Sequence, residues 1–151
     1  MADWTANLIE DDEGMRAILA ECRRVAVLGI KTEAQAGQPA IEVPRYLAAQ
    51  GYDVVPVPVY YPDVQEILGQ PVYRRVQDVP GGVDLVDVFR RPHDIPPHVE
   101  DLIAARPKAV WFQLGIRNDA AARQLAEAGI QVVQDRCTLV EHRRLIGHPV
   151  G

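Results

Sequence analysis

Four consecutive apolar residues, Val25-Ala26-Val27-Leu28, run directly into Gly29. An apolar run this short, unalternated and rich in β-branched side chains, suits a strand buried on both faces. Such a strand needs cover above and below, and the rest of the chain repeats the arrangement. Related runs occur from Tyr52 to Val57, from Val83 to Phe89 (VDLVDVF), from Ala109 to Leu114 (AVWFQL) and from Ile130 to Val133, with stretches of helical spacing around them.

The helical stretches are marked by period and punctuation. From Asp11 to Arg24, Met15, Ile18, Leu19 and Cys22 recur at intervals of three and four, the period of one buried helix face. Pro39 suits a first helical turn, Ile41, Val43, Tyr46, Leu47 and Ala48 supply an apolar face, and Gly51 suits the stop. Pro44 predicts a bend in that helix. Further helices are expected from Ile95 to Ala105, from an Asn118 cap through Ala128 to a Gly129 stop, and from Leu139 to Leu145. The stretch from Tyr60 to Pro80 is the least regular, with a short helical turn expected at Ile67-Leu68-Gly69 and a short edge strand at Val72-Tyr73. Pro56 lacks a donor and argues against a central place for the second strand. Residues from Gly147 onward read as a tail.

Strands alternating with helices call for a mainly parallel sheet with right-handed crossovers. The expected architecture is a Rossmann-like, doubly wound α/β domain with a five- to six-stranded sheet and helices on both faces. A chain of 151 residues holds one such core without disulfides or a structural metal, so a single domain over 1–151 is expected, its core at about 11–146.

Charge and composition narrow the function classes. The net charge of -5 argues against nucleic-acid binding, which needs clustered Lys and Arg. The N-terminus, MADWTANLIEDDEGM, carries acids where a signal peptide needs a basic start, and no segment is apolar for long enough to span a bilayer. A cytoplasmic protein with no membrane partner is expected. Cys22 and Cys137 are too few and too far apart for a disulfide framework or a redox motif. The four histidines, His93, His98, His142 and His148, show no metal-ligand spacing, so surface or packing roles are expected of them and no metal.

In doubly wound sheets the ligand crevice lies beyond the carboxyl ends of the strands, at the point where strand order reverses. The residues just after each strand are therefore the candidate site: Gly29, Ile30 and Lys31; Val57 and Pro58; Phe89, Arg90 and Arg91; Gln113, Leu114 and Gly115. The loop GIKTEAQAGQP ends at a helix start, Gln38-Pro39, whose unpaired amides and positive dipole end favour a phosphate. The alternative is a plain strand-to-helix connection with Gly29 serving backbone geometry. Glycines stand only at Gly29 and Gly37, which matches neither the dinucleotide fingerprint nor a nucleoside-triphosphate loop.

Arg90 and Arg91 follow a buried strand, where a guanidinium can hold a phosphate or stack on an adenine. The alternative is a solvated pair, or one salt-bridged to Asp87 or Asp94. Cys137 stands near the start of the last helix, but His142 is five residues away and shares its face poorly, so no catalytic pair is expected. Asp135 is expected to cap that helix.

Together VAVLGI, VPRYLAAQGYDVVPV, EILGQPVY, VDLVDVFRRP, VWFQLGIRN and GIQVVQDRCTLVEHRRL resemble, in order and spacing, the small stand-alone CoA-binding domain family. That family is similar to the CoA-binding domain of the succinyl-CoA synthetase α subunit. The resemblance runs from about Asp11 to Ile146. It implies coenzyme A or an acyl-CoA held by the loop after Gly29, the end of the second strand, the Phe89-Arg90 turn and the Gln113-Gly115 turn. It implies no ligase activity, which in the synthetase depends on a phosphohistidine in a separate domain. The chain departs from the family's G-A-S loop and later serine, with Ile30, Lys31 and Ala40 in that neighbourhood, and has Pro58-Val59 where Asn-Pro is usual. A non-catalytic binding or regulatory module is the leading expectation. A nucleotide-dependent oxidoreductase on the same fold and a protein-interaction subunit with a vestigial crevice are the alternatives.

Overall fold

The computed structural model describes residues 3–150. Five parallel strands form one sheet: β1 (Arg24–Leu28), β2 (Asp53–Val57), β5 (Leu85–Val88), β6 (Ala109–Phe112) and β7 (Gln131–Val133), in the spatial order β2-β1-β5-β6-β7. Between β2 and β5 lies a separate two-stranded hairpin, β3 (Glu66–Ile67) and β4 (Gln70–Pro71). Helices α1 (Asp12–Glu21), α2 (Pro39–Ala49) and α5 (Thr138–Leu145) cover one face of the sheet, and α3 (Val99–Ala105) and α4 (Asp119–Glu127) cover the other. The doubly wound α/β expectation holds, with five strands in the main sheet.

Alternate residues of each strand feed two separate cores. Ala26, Leu28, Val86, Val88, Val110 and Phe112 pack towards α3 and α4. Val25, Val27, Leu85, Ala109 and Trp111 pack towards α1, α2 and α5. Both sets are essentially inaccessible to solvent, which explains the unalternated apolar runs: a sheet covered on both faces leaves little place for polar residues on its central strands, and Asp87 of β5 stands there only with hydrogen-bond partners, Gln113 and Thr138.

Several boundaries differ from the sequence expectation for identifiable reasons. Helix α1 stops at Glu21, short of Arg24, because the Asp84 carboxylate takes the amides of Arg23 and Arg24 at 3.0 and 2.9 Å and turns the chain into β1. The helix expected from Ile95 begins only at Val99. Pro96 opens a 3-10 turn, Pro96–His98, ahead of it, since adjacent prolines supply no helical donors. The helical turn expected at Ile67-Leu68-Gly69 is instead the β3–β4 hairpin: Leu68 and Gly69 both have positive φ (53° and 75°), the backbone of a tight two-residue hairpin turn. No strand forms at Val72-Tyr73, although the Tyr73 amide donates to the Pro56 carbonyl at 3.0 Å.

Both awkward prolines are accommodated. β2 is an edge strand, so Pro56 keeps its missing donor away from β1. Helix α2 runs unbroken through Pro44, which has no N–H for the carbonyl four residues back. That carbonyl, of Ala40, accepts the Lys31 amide at 3.1 Å instead. The expected tail also docks: the Val150 amide donates to the Gln50 carbonyl at 2.7 Å, and a β-carbon at Gly51 (φ 98°) would collide with Val150. Gly151 lies outside the described residues.

His142 lies in the core on the α5 side. Its Nδ1 is 2.7 Å from the Tyr46 hydroxyl, and its Nε2 has no partner among the described residues. Burial lowers its pKa, so the unfolded chain takes up this proton more readily than the folded one, and stability falls as pH drops below about 6.5. Thermal denaturation between pH 7 and 5 is expected to show this loss, and His142→Phe is expected to reduce its slope.

Candidate ligand crevice

The strand order fixes the switch point. β1 runs on to β2 on one side, whereas the next main strand, β5, lies on the other side of β1, so the crossovers diverge between β1 and β5 and leave a crevice beyond their carboxyl ends. Gly29 and Phe89, the residues after these two strands, meet there. The Phe89 amide donates to the Leu28 carbonyl at 2.8 Å, and the Gly29 amide donates to the Val57 carbonyl at 2.9 Å. Gly29 has φ 86°, and a β-carbon there would land on the Phe89 carbonyl oxygen and 3.2 Å from Cδ of Arg90. Glycine is what lets the Arg90 stem lie across the end of β1.

The two arginines separate clearly. Arg90 has only 13% of its side chain exposed, whereas Arg91 has 72%. The Arg90 guanidinium lies over the ring of Tyr60, 5.5 Å from its centroid. Its Nε donates to His98 Nε2 at 3.2 Å, its Nη1 donates to the Tyr60 hydroxyl at 3.4 Å, and Asp94 stands 4.0 Å away. Burial, and then the Arg90 charge, lower the pKa of His98, consistent with a neutral ring accepting that bond. Arg91 points outward and pairs with Asp94 at 3.1 Å. Asp94, and not Asp87, is thus the acid of this loop. Tyr60, 58% exposed, and His98 were not singled out in the sequence. The available signal was an aromatic just past β2, on the side where a nucleotide's sugar lies in such folds.

The first loop presents Lys31, whose Nζ donates to the Gln38 side-chain oxygen, beside the start of α2. Gln38 gives that helix no side-chain cap and Pro39 is its first residue. Two groups there are already engaged: the Gly37 amide donates to Glu42 at 2.8 Å, and the Thr32 hydroxyl donates to the Gln35 side chain at 2.6 Å. Ile30, Val57 and Pro58 are buried, so their side chains serve packing and only their backbone borders the crevice.

Gln113 also turns inward. Its amide donates to Asp87 and, at 2.9 Å, to the Thr138 hydroxyl, which donates to Asp87 at 2.9 Å. Leu114 is 68% exposed. The Gly115 amide donates to Asp135 at 2.6 Å. Asp135 therefore does not cap α5, whose N-cap position is held by Cys137 with no side-chain hydrogen bond.

Asp87 is fully buried at the centre of the sheet, and burial pushes its pKa up to about 7 against the two hydrogen bonds that favour the anion. The triad ties the ends of β5 and β6 to the first turn of α5, and so holds the crevice floor in place.

These features define a parallel, doubly wound domain with a candidate ligand crevice at its β1–β5 switch point. The family model described as "CoA binding domain" matches residues 23–143, and the chain belongs to that family. It is 29% identical over 128 residues to the Bacillus subtilis (strain 168) protein YneT, covering 85% of this chain and 91% of YneT. It is similar to the structure of cell-free ID.343 from Thermus thermophilus, with 42% identity, a TM-score of 0.82 and coverage of 91% of this chain and all of that one. A hypothetical protein from Pyrococcus horikoshii OT3 is 36% identical with a TM-score of 0.82, over 91% of this chain and 94% of that one. Among the described residues no helix is long and apolar enough to cross a membrane.

Two outcomes check this geometry. Gly29→Ala is expected to lower stability by about 2–4 kcal/mol in urea denaturation, from the positive φ and the clash with Phe89. Asp87 holds its proton better folded than unfolded, where its pKa is about 3.9, so its contribution is complete below pH 4 and is lost as pH rises through about 7. Asp87→Asn is expected to flatten the decline in melting temperature between pH 5 and 7.

Proposed function

We propose that this protein binds coenzyme A, free or acylated, in the β1–β5 crevice and acts as a binding or regulatory module without chemistry of its own. The observation that carries the reading is Arg90, whose guanidinium is held on Tyr60 at the end of the central sheet, with its stem across Gly29. A cation stacked on an aromatic ring, next to the Gly29 loop that carries Lys31, suits a ligand that joins an adenine to a diphosphate. The family supports the same ligand. In this arrangement the adenine lies against Tyr60, and the phosphates lie between Arg90 and Lys31, since Pro39 has no N–H and the Ile41 and Glu42 amides of α2 already donate to the Gln38 carbonyl. Lys31 takes over as a charge where the family's hydroxyl contacts are missing.

A role without chemistry is supported by the state of the acid–base groups at the site. His98 is committed to Arg90 and Asp87 is sealed beneath the crevice floor. A small-molecule partner in the cytoplasm, with no nucleic acid or membrane involved, completes the proposal.

Calorimetric titration tests it. Saturable binding of CoA and acetyl-CoA is expected, and flat titrations at millimolar ligand overturn the reading. Arg90→Ala should weaken binding by about 1–3 kcal/mol through loss of a charge-assisted bond, whereas Arg91→Ala, already solvated and paired with Asp94, should change it less than about threefold. A fluorescence response to NADH with none to CoA would favour an oxidoreductase instead.

A further inference from the structure

A half-open groove lies beside the crevice. It encloses about 1120 Å³ at the carboxyl ends of β6 and β7, between Leu114, the start of α4 and the N-terminal segment from Trp4 to Glu10. That segment is fastened along the sheet edge: Leu8 bridges Val132, and the Ile9 amide donates to the Val132 carbonyl at 2.8 Å. We infer that this groove receives a neutral, apolar acyl chain longer than acetyl, carried on the sulfur of a coenzyme A held in the crevice; the inference rests on the function proposed above.

Three observations lead there. The first is direction. An adenine on Tyr60, beyond β2, with phosphates at Arg90 leaves the pantetheine arm to run the other way, over β5 and β6. Neighbouring strands are ~4.8 Å apart, so the groove mouth at Leu114, above β6, is about one spacing from the Arg90 loop above β5, and the pantetheine arm, several times longer than that, enters the groove first and carries the acyl chain towards its far end.

The second is continuity. The Asn118 side chain donates to the Pro92 carbonyl at 2.9 Å, joining the crevice loop to the cap of α4, whose neighbours Arg117 and Asp119 line the groove.

The third is the character of the lining. Its apolar surface comes from Trp4, Leu8, Ile9, Leu114 and Val132, and Leu114 stands exposed at the mouth. The charges are largely matched within the protein. Arg117 pairs with Asp119 at 3.1 Å, Arg123 pairs with Glu127 at 2.5 Å while lying 4.7 Å over Trp4, and Asp135 accepts the Gly115 amide. Asp135, whose partner is a neutral amide, Glu10 and Arg136 remain, two acids against one base. With no positive excess to recruit a carboxylate end group, the groove favours a neutral chain lying along its apolar residues.

The test is calorimetry on the full chain with CoA, acetyl-CoA, hexanoyl-CoA and adipoyl-CoA, repeated with Ala120→Trp, which fills the groove from the exposed first turn of α4. A fully buried methylene is worth about fourfold in affinity, so even in an open groove hexanoyl-CoA is expected to bind at least about tenfold more tightly than acetyl-CoA. Adipoyl-CoA, of equal length but with a carboxylate end, should lose that gain. Ala120→Trp should abolish the gain while CoA itself still binds. Hexanoyl-CoA binding no better than acetyl-CoA, or a gain that survives Ala120→Trp, overturns the acyl groove while the crevice stands. Adipoyl-CoA binding more tightly than hexanoyl-CoA overturns the neutral-chain assignment. Failure of all four ligands to bind overturns the crevice reading and this inference together.

Discussion

Burial of the sheet on both faces governs this molecule. Once β1, β5 and β6 have apolar residues on each side, crossing helices must cover both surfaces, and polar backbone can be released only where the strands end. At the carboxyl ends the connections part between β1 and β5, and the exposed polar groups of the domain's centre collect in that gap. The location of the crevice thus follows from how the core is built, before any residue in it is chosen for a ligand.

The fold was legible because its signal is redundant. Five apolar runs, the first closed by Gly29, alternate with helical spacing that Gly51 and Gly129 bring to a stop, and all agree on a single architecture. The errors fell where one residue's local preference outweighed the pattern. Leu68 takes a left-handed conformation that its side chain does not advertise, turning an expected helical turn into a hairpin. Pro96 and Pro97 delay α3. Asp84 shortens α1 from sixty residues away in sequence, a contact no local reading contains.

The crevice was legible in outline and less so in detail, for a related reason. Proximity to a strand end identifies a loop but not the direction of its side chains. Arg90 and Arg91 are equivalent in sequence, yet one folds over Gly29 onto Tyr60 and the other faces water. Gln113 sits at the expected position but spends its amide on Asp87 and Thr138, a three-way bond among residues from β5, β6 and α5. Tyr60 and His98 enter the site only because Arg90 reaches them, and such partners emerge from packing.

Pro44 bears on how such a loop could be transplanted. By withholding one donor from α2, it leaves the Ala40 carbonyl open to the Lys31 amide, so the resting position of the first loop is encoded in the helix that follows it. Grafting Gly29–Pro39 alone onto another scaffold would carry over its residues without its anchor. The portable unit is the loop together with the first turns of α2, through the proline.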